Sequence, residues 1–235
     1  MLLMKKIKLI NQNKGGQGKT FLTSLIIAKE KHNQTSFIAV DADSGNRSLI
    51  KRFENTPLAD SIIEFSLFND KKEEIIDKTL FEELFNNISE GTVENIYIDL
   101  GGNESRELLK FFELVGLENI REYFTENNFE IEFFTIISVG DRDCLDHLDK
   151  VQQSLKNVFP NVVFINEGFI NPRLDADKIE IITQYAKDHK VELRYFGKAE
   201  GSLKDKMSDY VRSGFTSPIG MFKGHFNKLT EQVKL

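Results

Sequence analysis

The chain has 235 residues, of which 40% are hydrophobic and 29% are charged, and its formal net charge is −6 at pH 7. These values are typical of a soluble globular protein with one sizeable core, and we expect residues 1–235 to form a single domain. No apolar run approaches the roughly 18 residues of a membrane-spanning helix, and the lysine-rich start lacks the apolar core of a signal peptide. The single cysteine, Cys144, excludes an intrachain disulfide. We therefore expect a cytoplasmic protein.

A glycine-rich segment, residues 11–20 (NQNKGGQGKT), lies between a short apolar run and a run typical of a helix. A strand, a glycine-rich turn and a helix in this order form the context of a phosphate-binding loop, in which backbone N–H groups surround the phosphates. We expect Lys19 to reach the β- and γ-phosphates of a nucleotide and the Thr20 hydroxyl to bind Mg²⁺. The residues in and directly after this segment that are expected to contact the nucleotide are Lys14, Gly15, Gly16, Gln17, Gly18, Lys19, Thr20 and Phe21.

The loop departs from the strict P-loop pattern at Asn13, where that pattern has glycine. Residues 14–20 instead read K-G-G-Q-G-K-T, which resembles the deviant Walker A loop of the ParA/MinD superfamily of P-loop ATPases. The resemblance implies a P-loop NTPase fold, slow hydrolysis of ATP to ADP and phosphate, and an ATP-dependent homodimer. It also implies that Lys14 acts on the phosphates bound by the partner subunit, while Lys19 acts within its own chain.

Acidic residues end two later apolar runs. Residues 36–41 lead into Asp41 and Asp43, and residues 95–99 end in Asp99. Carboxylates at the carboxyl ends of parallel strands lie on the ligand side of a sheet, so one of the first pair could support Mg²⁺ and the other could polarise the attacking water. The family resemblance assigns the water to Asp43 and the metal shell to Asp41. The acid that closes the second run, Asp99, has the position of a residue that holds Mg²⁺ through water.

The residues after Asp99 read L-G-G, where many members of the family have T-P. The metal role of Asp99 does not depend on that difference. How the loop after Asp99 responds to the nucleotide is not determined by the sequence. The D-L-G-G sequence also resembles a branch of ParA-like ATPases that is linked to plasmid mobilisation and conjugation.

Six apolar runs alternate with segments typical of helices. Continuous apolar strands separated by helices predict an α/β fold with a mostly parallel central sheet and helices on both faces. The expected strands span residues 6–11, 36–41, 95–99, 131–139, 161–166 and 191–196. The expected helical segments are residues 58–88 (with loops), 104–127 (broken near Gly116), 143–158, 174–189 and 202–213.

Two features bear on ligands and partners beyond the phosphates. Asn166 ends the run 161–166, where the family often has an asparagine that reads adenine, although a polar residue can simply end a strand. Asp141, Arg142, Asp143 and Asp146 could form a surface for a partner protein or the N-terminus of a helix.

Charge is distributed unevenly, with 10 Lys and Arg against 3 Asp and Glu in residues 1–52, and 10 against 6 in residues 186–235. These basic ends could bind DNA without sequence preference or could be solvated helices. An apolar stripe near the C terminus predicts either a last helix on the core or a helix on a membrane surface. The stripe consists of Phe222, Phe226, Leu229 and Val233.

The function that these features favour is a dimerisation switch that binds and slowly hydrolyses ATP with Mg²⁺, in plasmid or DNA partition or in positioning another macromolecular cargo. The alternatives are a conjugation or mobilisation accessory ATPase and a metabolic enzyme similar to dethiobiotin synthetase. Lys14 argues against the metabolic enzyme, since such relatives generally lack this lysine. The single cysteine excludes the iron–sulfur reductase relatives, whose clusters need several cysteines.

Overall fold

The described residues of a computed structural model, 4–67, 79–139, 141–171, 173–198 and 230–233, form a seven-stranded sheet. Every neighbouring pair of strands is parallel, in the order β3-β2-β4-β1-β5-β6-β7. The strands are β1 (Lys5–Asn11), β2 (Phe37–Ala42), β3 (Ile62–Glu64), β4 (Asn95–Leu100), β5 (Phe129–Ile137), β6 (Asn161–Asn166) and β7 (Glu192–Phe196). The predicted α/β fold with a parallel sheet is confirmed.

Helices cover both faces of this sheet. The described helices are α1 (Lys19–Asn33), α2 (Ser48–Phe53), α3 (Thr79–Glu90), α4 (Gly102–Val115), α5 (Leu117–Glu126), α6 (Arg142–Leu155) and α7 (Ala176–Asp188), with 3₁₀ turns at Ala59–Ser61 and Glu167–Phe169. The predicted break at Gly116 separates α4 from α5, and its φ of 91° suits glycine. The predicted helix at residues 202–213 and most of the C-terminal stripe lie outside the described residues.

One strand was missed in the sequence. The segment 58–88 was expected to contain only helices and loops, but it contains β3, which pairs with β2 at the edge of the sheet. The strand has only three residues and its Ile63 is 43% exposed, so it lacks both the length and the continuous apolar pattern of the central strands. An edge strand pairs with another strand on one side only, so it can be short and need not be apolar along its whole length.

The core lies in two layers, one on each face of the sheet. Helices α1 and α2 pack on one face through residues such as Leu25 and Phe53. On the other face, α3 to α6 enclose an aromatic cluster around Phe112, whose ring contacts Phe124, Phe133 and Phe159. Since both faces are covered, the central strands are apolar along most of their length. None of the described helices combines the length and the apolar character needed to cross a membrane.

The sheet topology brings the predicted site residues to one edge. β1 lies between β4 and β5, and the chain leaves β1 toward β2 on one side before it returns to β5 on the other. Ligands of open α/β sheets bind at such a reversal, beyond the carboxyl ends of the strands. In the strand register, Asp99 pairs with both Ile10 and Asp41, so the acidic strand ends lie level with the start of the glycine-rich loop.

Candidate nucleotide-binding site

The glycine-rich loop leads directly from β1 into α1, as expected. Gly18 precedes the helix with φ 104° and ψ 16°, a left-handed conformation that favours glycine. A Cβ at this position would also collide with the side-chain amide of Asn166. Both the backbone conformation and the neighbouring strand therefore require glycine at position 18.

The strand end below the loop is held by a buried polar network. Asn11, the last residue of β1, faces His147 on α6 with 3.0 Å between its Oδ1 and the His147 Nε2, and its Nδ2 donates to Thr135 Oγ1 at 3.1 Å. Burial and, to a smaller extent, the positive charge of Lys19 together lower the pKa of His147 to about 4. The histidine is thus neutral at physiological pH and fixes the point where the loop begins. The spacing of the histidines in the sequence indicates no such contact.

Lys19 lies inside the loop rather than in solvent. Its side chain is 7% exposed, and its Nζ donates to the Lys14 backbone oxygen at 3.3 Å, across the turn. The next residue, Thr20, shares a hydrogen bond of 2.7 Å between its hydroxyl and that of Ser48 at the start of α2. Ser48 was not among the predicted site residues, and it brings a second hydroxyl to the place where Mg²⁺ was expected.

Asp99 is a buried carboxylate without a hydrogen-bond partner of normal geometry among the described residues. It is 1% exposed, and burial raises its pKa to about 7, against the lowering effects of the Lys19 charge and the Thr20 hydroxyl. A buried carboxylate is costly unless a cation or hydrogen bonds accompany it. The position beside Thr20 therefore suits a cation.

These residues fit Mg²⁺ only together with a nucleotide. The described parts of the chain contain no group of three or more His, Cys, Asp or Glu side chains that could hold a metal ion alone. Mg²⁺ commonly uses one or two carboxylates together with substrate phosphates and water. Thr20 and Asp99 are the residues that would hold it here.

Asp41 has both carboxylate oxygens engaged with backbone N–H groups. Its Oδ2 accepts from Leu49 and Ile50 at 2.9 Å each, and its Oδ1 accepts from Asp43 at 3.2 Å. Burial raises the pKa of Asp41, and these hydrogen bonds oppose the rise. Asp41 thus fastens the first turn of α2 to the end of β2, so a contribution to the metal shell would be indirect.

Asp43 lies on the wall of the cleft above the loop, where its Oδ1 accepts from the backbone N of Asn46 at 3.1 Å. Beside it lies Glu104, in the first turn of α4, which sequence reasoning did not select. Glu104 is 2% exposed, and its Oε1 accepts from the backbone N of Ser44 at 3.2 Å. Burial and the charge of Asp43 raise the pKa of this glutamate.

The cleft has a volume of about 770 Å³. Besides Ser48, two further residues of α2 on its wall, Lys51 and Arg52, were not predicted, although their position shortly after the D-x-D sequence is compatible with a ligand-facing helix. The lining residues include six of the predicted loop residues, Gly15, Gly16, Gly18, Lys19, Thr20 and Phe21, together with Asp43, Asn46, Ser48, Lys51, Arg52, Asn166, Gly168, Phe169 and Gly197.

Asn166 joins the cleft to the loop. Its Nδ2 donates to the Gln17 backbone oxygen at 3.1 Å, and its Oδ1 accepts from the backbone N of Gly168 at 3.0 Å. The residue is 4% exposed, whereas Phe169 on the same wall is 51% exposed. The side-chain amide of Asn166 has one further N–H and one further lone pair, which a nucleotide base could contact.

Lys14 and Gln17 do not line the cleft, because both side chains turn toward α6. The Lys14 Nζ lies 2.6 Å from Asp141 Oδ2 and 3.7 Å from Asp143 Oδ2, and Gln17 Nε2 donates to Asp141 at 3.3 Å. Asp141 also caps α6, since its Oδ1 accepts from the Asp143 backbone N at 3.0 Å. The contact with Asp141 raises the pKa of Lys14.

Comparison with known proteins supports the fold. No known family model and no curated protein matches the chain. Among solved structures it is similar to the MinD cell division protein of Aquifex aeolicus, with 14% identity, 97% of this chain and 94% of that chain covered, and a TM-score of 0.56. The MinC:MinD cell division protein complex of the same organism matches with 14% identity over 89% of this chain and 86% of that chain, with a TM-score of 0.52.

A second kind of neighbour is the signal recognition particle receptor FtsY of Elizabethkingia anophelis, solved in complex with GDP. It matches with 11% identity and a TM-score of 0.52, over 93% of this chain and 65% of that chain. These neighbours and the parallel sheet show that the chain has the α/β fold of P-loop NTPases.

Proposed function

We propose that the protein is a nucleotide-dependent dimerisation switch of the ParA/MinD type, which binds ATP with Mg²⁺ and hydrolyses it slowly. The observation that carries the proposal is the position of Lys19 near the buried carboxylate of Asp99. Lys19 is the first residue of α1, and it lies near a buried carboxylate that makes no hydrogen bond of normal geometry with the described part of the chain. Phosphates and Mg²⁺ together would satisfy both groups.

Each residue has a distinct task in this proposal. The loop amides and the N-terminus of α1 bind the phosphates, and Lys19 moves from the Lys14 backbone oxygen to the β- and γ-phosphates. Thr20 and Asp99 hold the metal shell, and Asp43 orients the water that attacks the γ-phosphate. When bound, Mg²⁺ supplies charge that stabilises the transferred phosphoryl group.

Lys14 supports the switch rather than a metabolic enzyme. Its side chain is 48% exposed and already paired with Asp141, so it does not serve the phosphates of its own chain. In an ATP-bound dimer it would instead reach the phosphates of the partner subunit, where charge-assisted contacts are strong. Loss of the γ-phosphate would weaken that attraction and loosen the dimer.

The cargo is proposed to be DNA, either directly or through an adaptor protein, as in plasmid partition or mobilisation. Several basic residues of the segment 1–52 already face acids of their own chain, such as Lys8 with Glu132 and Arg47 with Glu64. A DNA-binding face would therefore depend on the others and on the basic C-terminal segment. Binding of the ATP-loaded protein to duplex DNA and to anionic vesicles, measured side by side at low and high salt, distinguishes DNA from a membrane surface.

The test of nucleotide binding is calorimetry with ATP, ADP and GTP in the presence of Mg²⁺. We expect the wild type to bind ATP, Lys19→Ala to lose binding, and Lys31→Ala, at the exposed end of α1, to behave as wild type. Unchanged ATP affinity in Lys19→Ala would contradict the assignment of the loop. Tighter binding of GTP than of ATP would contradict the choice of nucleotide but not the site.

A further inference from the structure

Glu104 connects the two loops that carry the proposed catalytic and metal residues. It lies on α4, which follows β4, the strand that carries Asp99. Its Oε1 nevertheless accepts from the backbone N of Ser44, which is next to Asp43 in the loop after β2. Ser44 is itself held, because its Oγ accepts from the backbone N of Leu67 at 3.1 Å. Glu104 is thus one direct link between the chain after β2 and the chain after β4.

The same region brings the carboxylates of Glu104 and Asp43 together. A Cβ on Gly101 would collide with Glu104 Oε2 and would lie 3.0 Å from Asp43 Oδ1, so both oxygens lie against Gly101. Glu104 is buried, and the described residues offer it no salt bridge with a lysine, arginine or histidine. Glutamate in such a place is costly and contributes little to packing that an apolar residue could not supply.

We infer that Glu104 is a positioning residue for hydrolysis, which holds the Asp43 loop in register with Asp99 through the backbone N of Ser44. This inference rests on the proposed function, since it assigns Asp43 to the attacking water. Glu104 does not itself line the cleft, although its neighbour Asp43 does, so we assign its task to turnover and not to nucleotide binding. The critical property is a hydrogen-bond acceptor at the end of a side chain as long as that of glutamate, and the negative charge is dispensable.

Three substitutions test the acceptor and the length separately. Glu104→Gln keeps both and removes the charge, Glu104→Asp keeps the charge but withdraws it by one methylene, and Glu104→Ala removes the group. We expect Glu104→Gln to retain turnover within about threefold. Glu104→Asp and Glu104→Ala should lose roughly ten- to a hundredfold in kcat, since small misplacements of a catalytic group are costly. The dissociation constant for ATP should change by less than about threefold in every variant. Glu122→Ala, at an exposed glutamate of α5, is the matched control.

Calorimetry of ATP binding, single-turnover hydrolysis and thermal melting of each variant separate the outcomes. Turnover in Glu104→Ala equal to wild type overturns the inference, as does turnover that is retained in Glu104→Asp and lost in Glu104→Gln. A fall in ATP affinity or melting temperature that parallels the fall in kcat also overturns it, because it would mark a merely structural role. If Glu104→Ala does not fold, the comparison of Glu104→Gln with Glu104→Asp still decides. A wild type that binds but does not hydrolyse ATP contradicts the proposed function instead.

Discussion

Lys14 is held by its own chain, because its Nζ lies 2.6 Å from Asp141 Oδ2 at the N-terminus of α6. The lysine proposed to act across a dimer interface is therefore engaged in the single chain. When the dimer forms, Lys14 would leave the Asp141 carboxylate and contact the phosphates of the nucleotide bound to the partner subunit. Asp141 would therefore compete with those phosphates for Lys14.

Asp141→Asn should strengthen the ATP-dependent dimer. Asparagine can keep the cap of α6, since its oxygen still accepts from the Asp143 backbone N, but it no longer attracts Lys14 by charge. Sedimentation with ATP should show a larger dimer fraction than in wild type, with no change in ADP. Asp143→Asn, whose carboxylate lies 3.7 Å from the same lysine, is the control and should have a smaller effect.

Lys14→Ala should still bind ATP, because the side chain does not line the cleft. It should stay monomeric with ATP, most clearly in an Asp43→Ala background that preserves the bound ATP. Normal dimerisation of this variant, or loss of ATP binding by the monomer, would make Lys14 an ordinary loop residue and remove the main support for the switch.

Asp43→Ala should bind ATP and hydrolyse it much more slowly than wild type. The side chain lies on the cleft wall and makes its hydrogen bonds within its own loop, to Asn46. Loss of a group that orients the attacking water typically costs about 10²- to 10⁴-fold. Phosphate release under single-turnover conditions measures the effect, and turnover equal to wild type would transfer the role to another group.

Asp99 should make the nucleotide-free protein less stable as the pH rises. Its folded-state pKa of about 7 lies above the ordinary value of 3.8, so the unfolded chain releases this proton first. Stability from this group is present below pH 4 and is lost progressively up to about pH 7. Asp99→Asn should be more stable than wild type at pH 8, by at most about 4 kcal/mol, and nearly equal at pH 4. Chemical denaturation at both pH values measures this, with the exposed Asp60→Asn as control.

Gly18→Ala should impair the loop even though it adds only a methyl group. Its φ of 104° is unfavourable for alanine, and the added carbon would collide with the Asn166 amide. We expect a loss of stability of about 1–3 kcal/mol together with weaker ATP binding. Gly91→Ala is the control, because the nearest neighbour of its Cβ would be at an ordinary 3.5 Å. Equal melting of the two variants would contradict the close approach of Asn166.

The α/β fold and the order of the central elements were predictable from the sequence because their signals are local. A covered parallel strand must be apolar along its length, and a phosphate-binding loop must follow such a strand and begin a helix, as β1, residues 11–20 and α1 do. The same rules placed Asp41 and Asp99 at the carboxyl ends of β2 and β4. The edge strand β3 was not predicted because it has only three residues and pairs with a single strand, so it lacks the long apolar run of the central strands.

Only the tertiary structure decided how those residues are used. Asp41 and Asp99 occupy equivalent positions in the sequence, each at the end of a strand. In the structure, Asp41 accepts hydrogen bonds from the backbone of α2, while Asp99 is buried near Lys19 without a hydrogen bond of normal geometry to the described chain. Likewise, the contacts of Lys14 with Asp141 and of Glu104 with Ser44 span 127 and 60 positions. Such contacts leave no periodic or motif signal, since they exist only when the sheet brings separate strand ends to one edge.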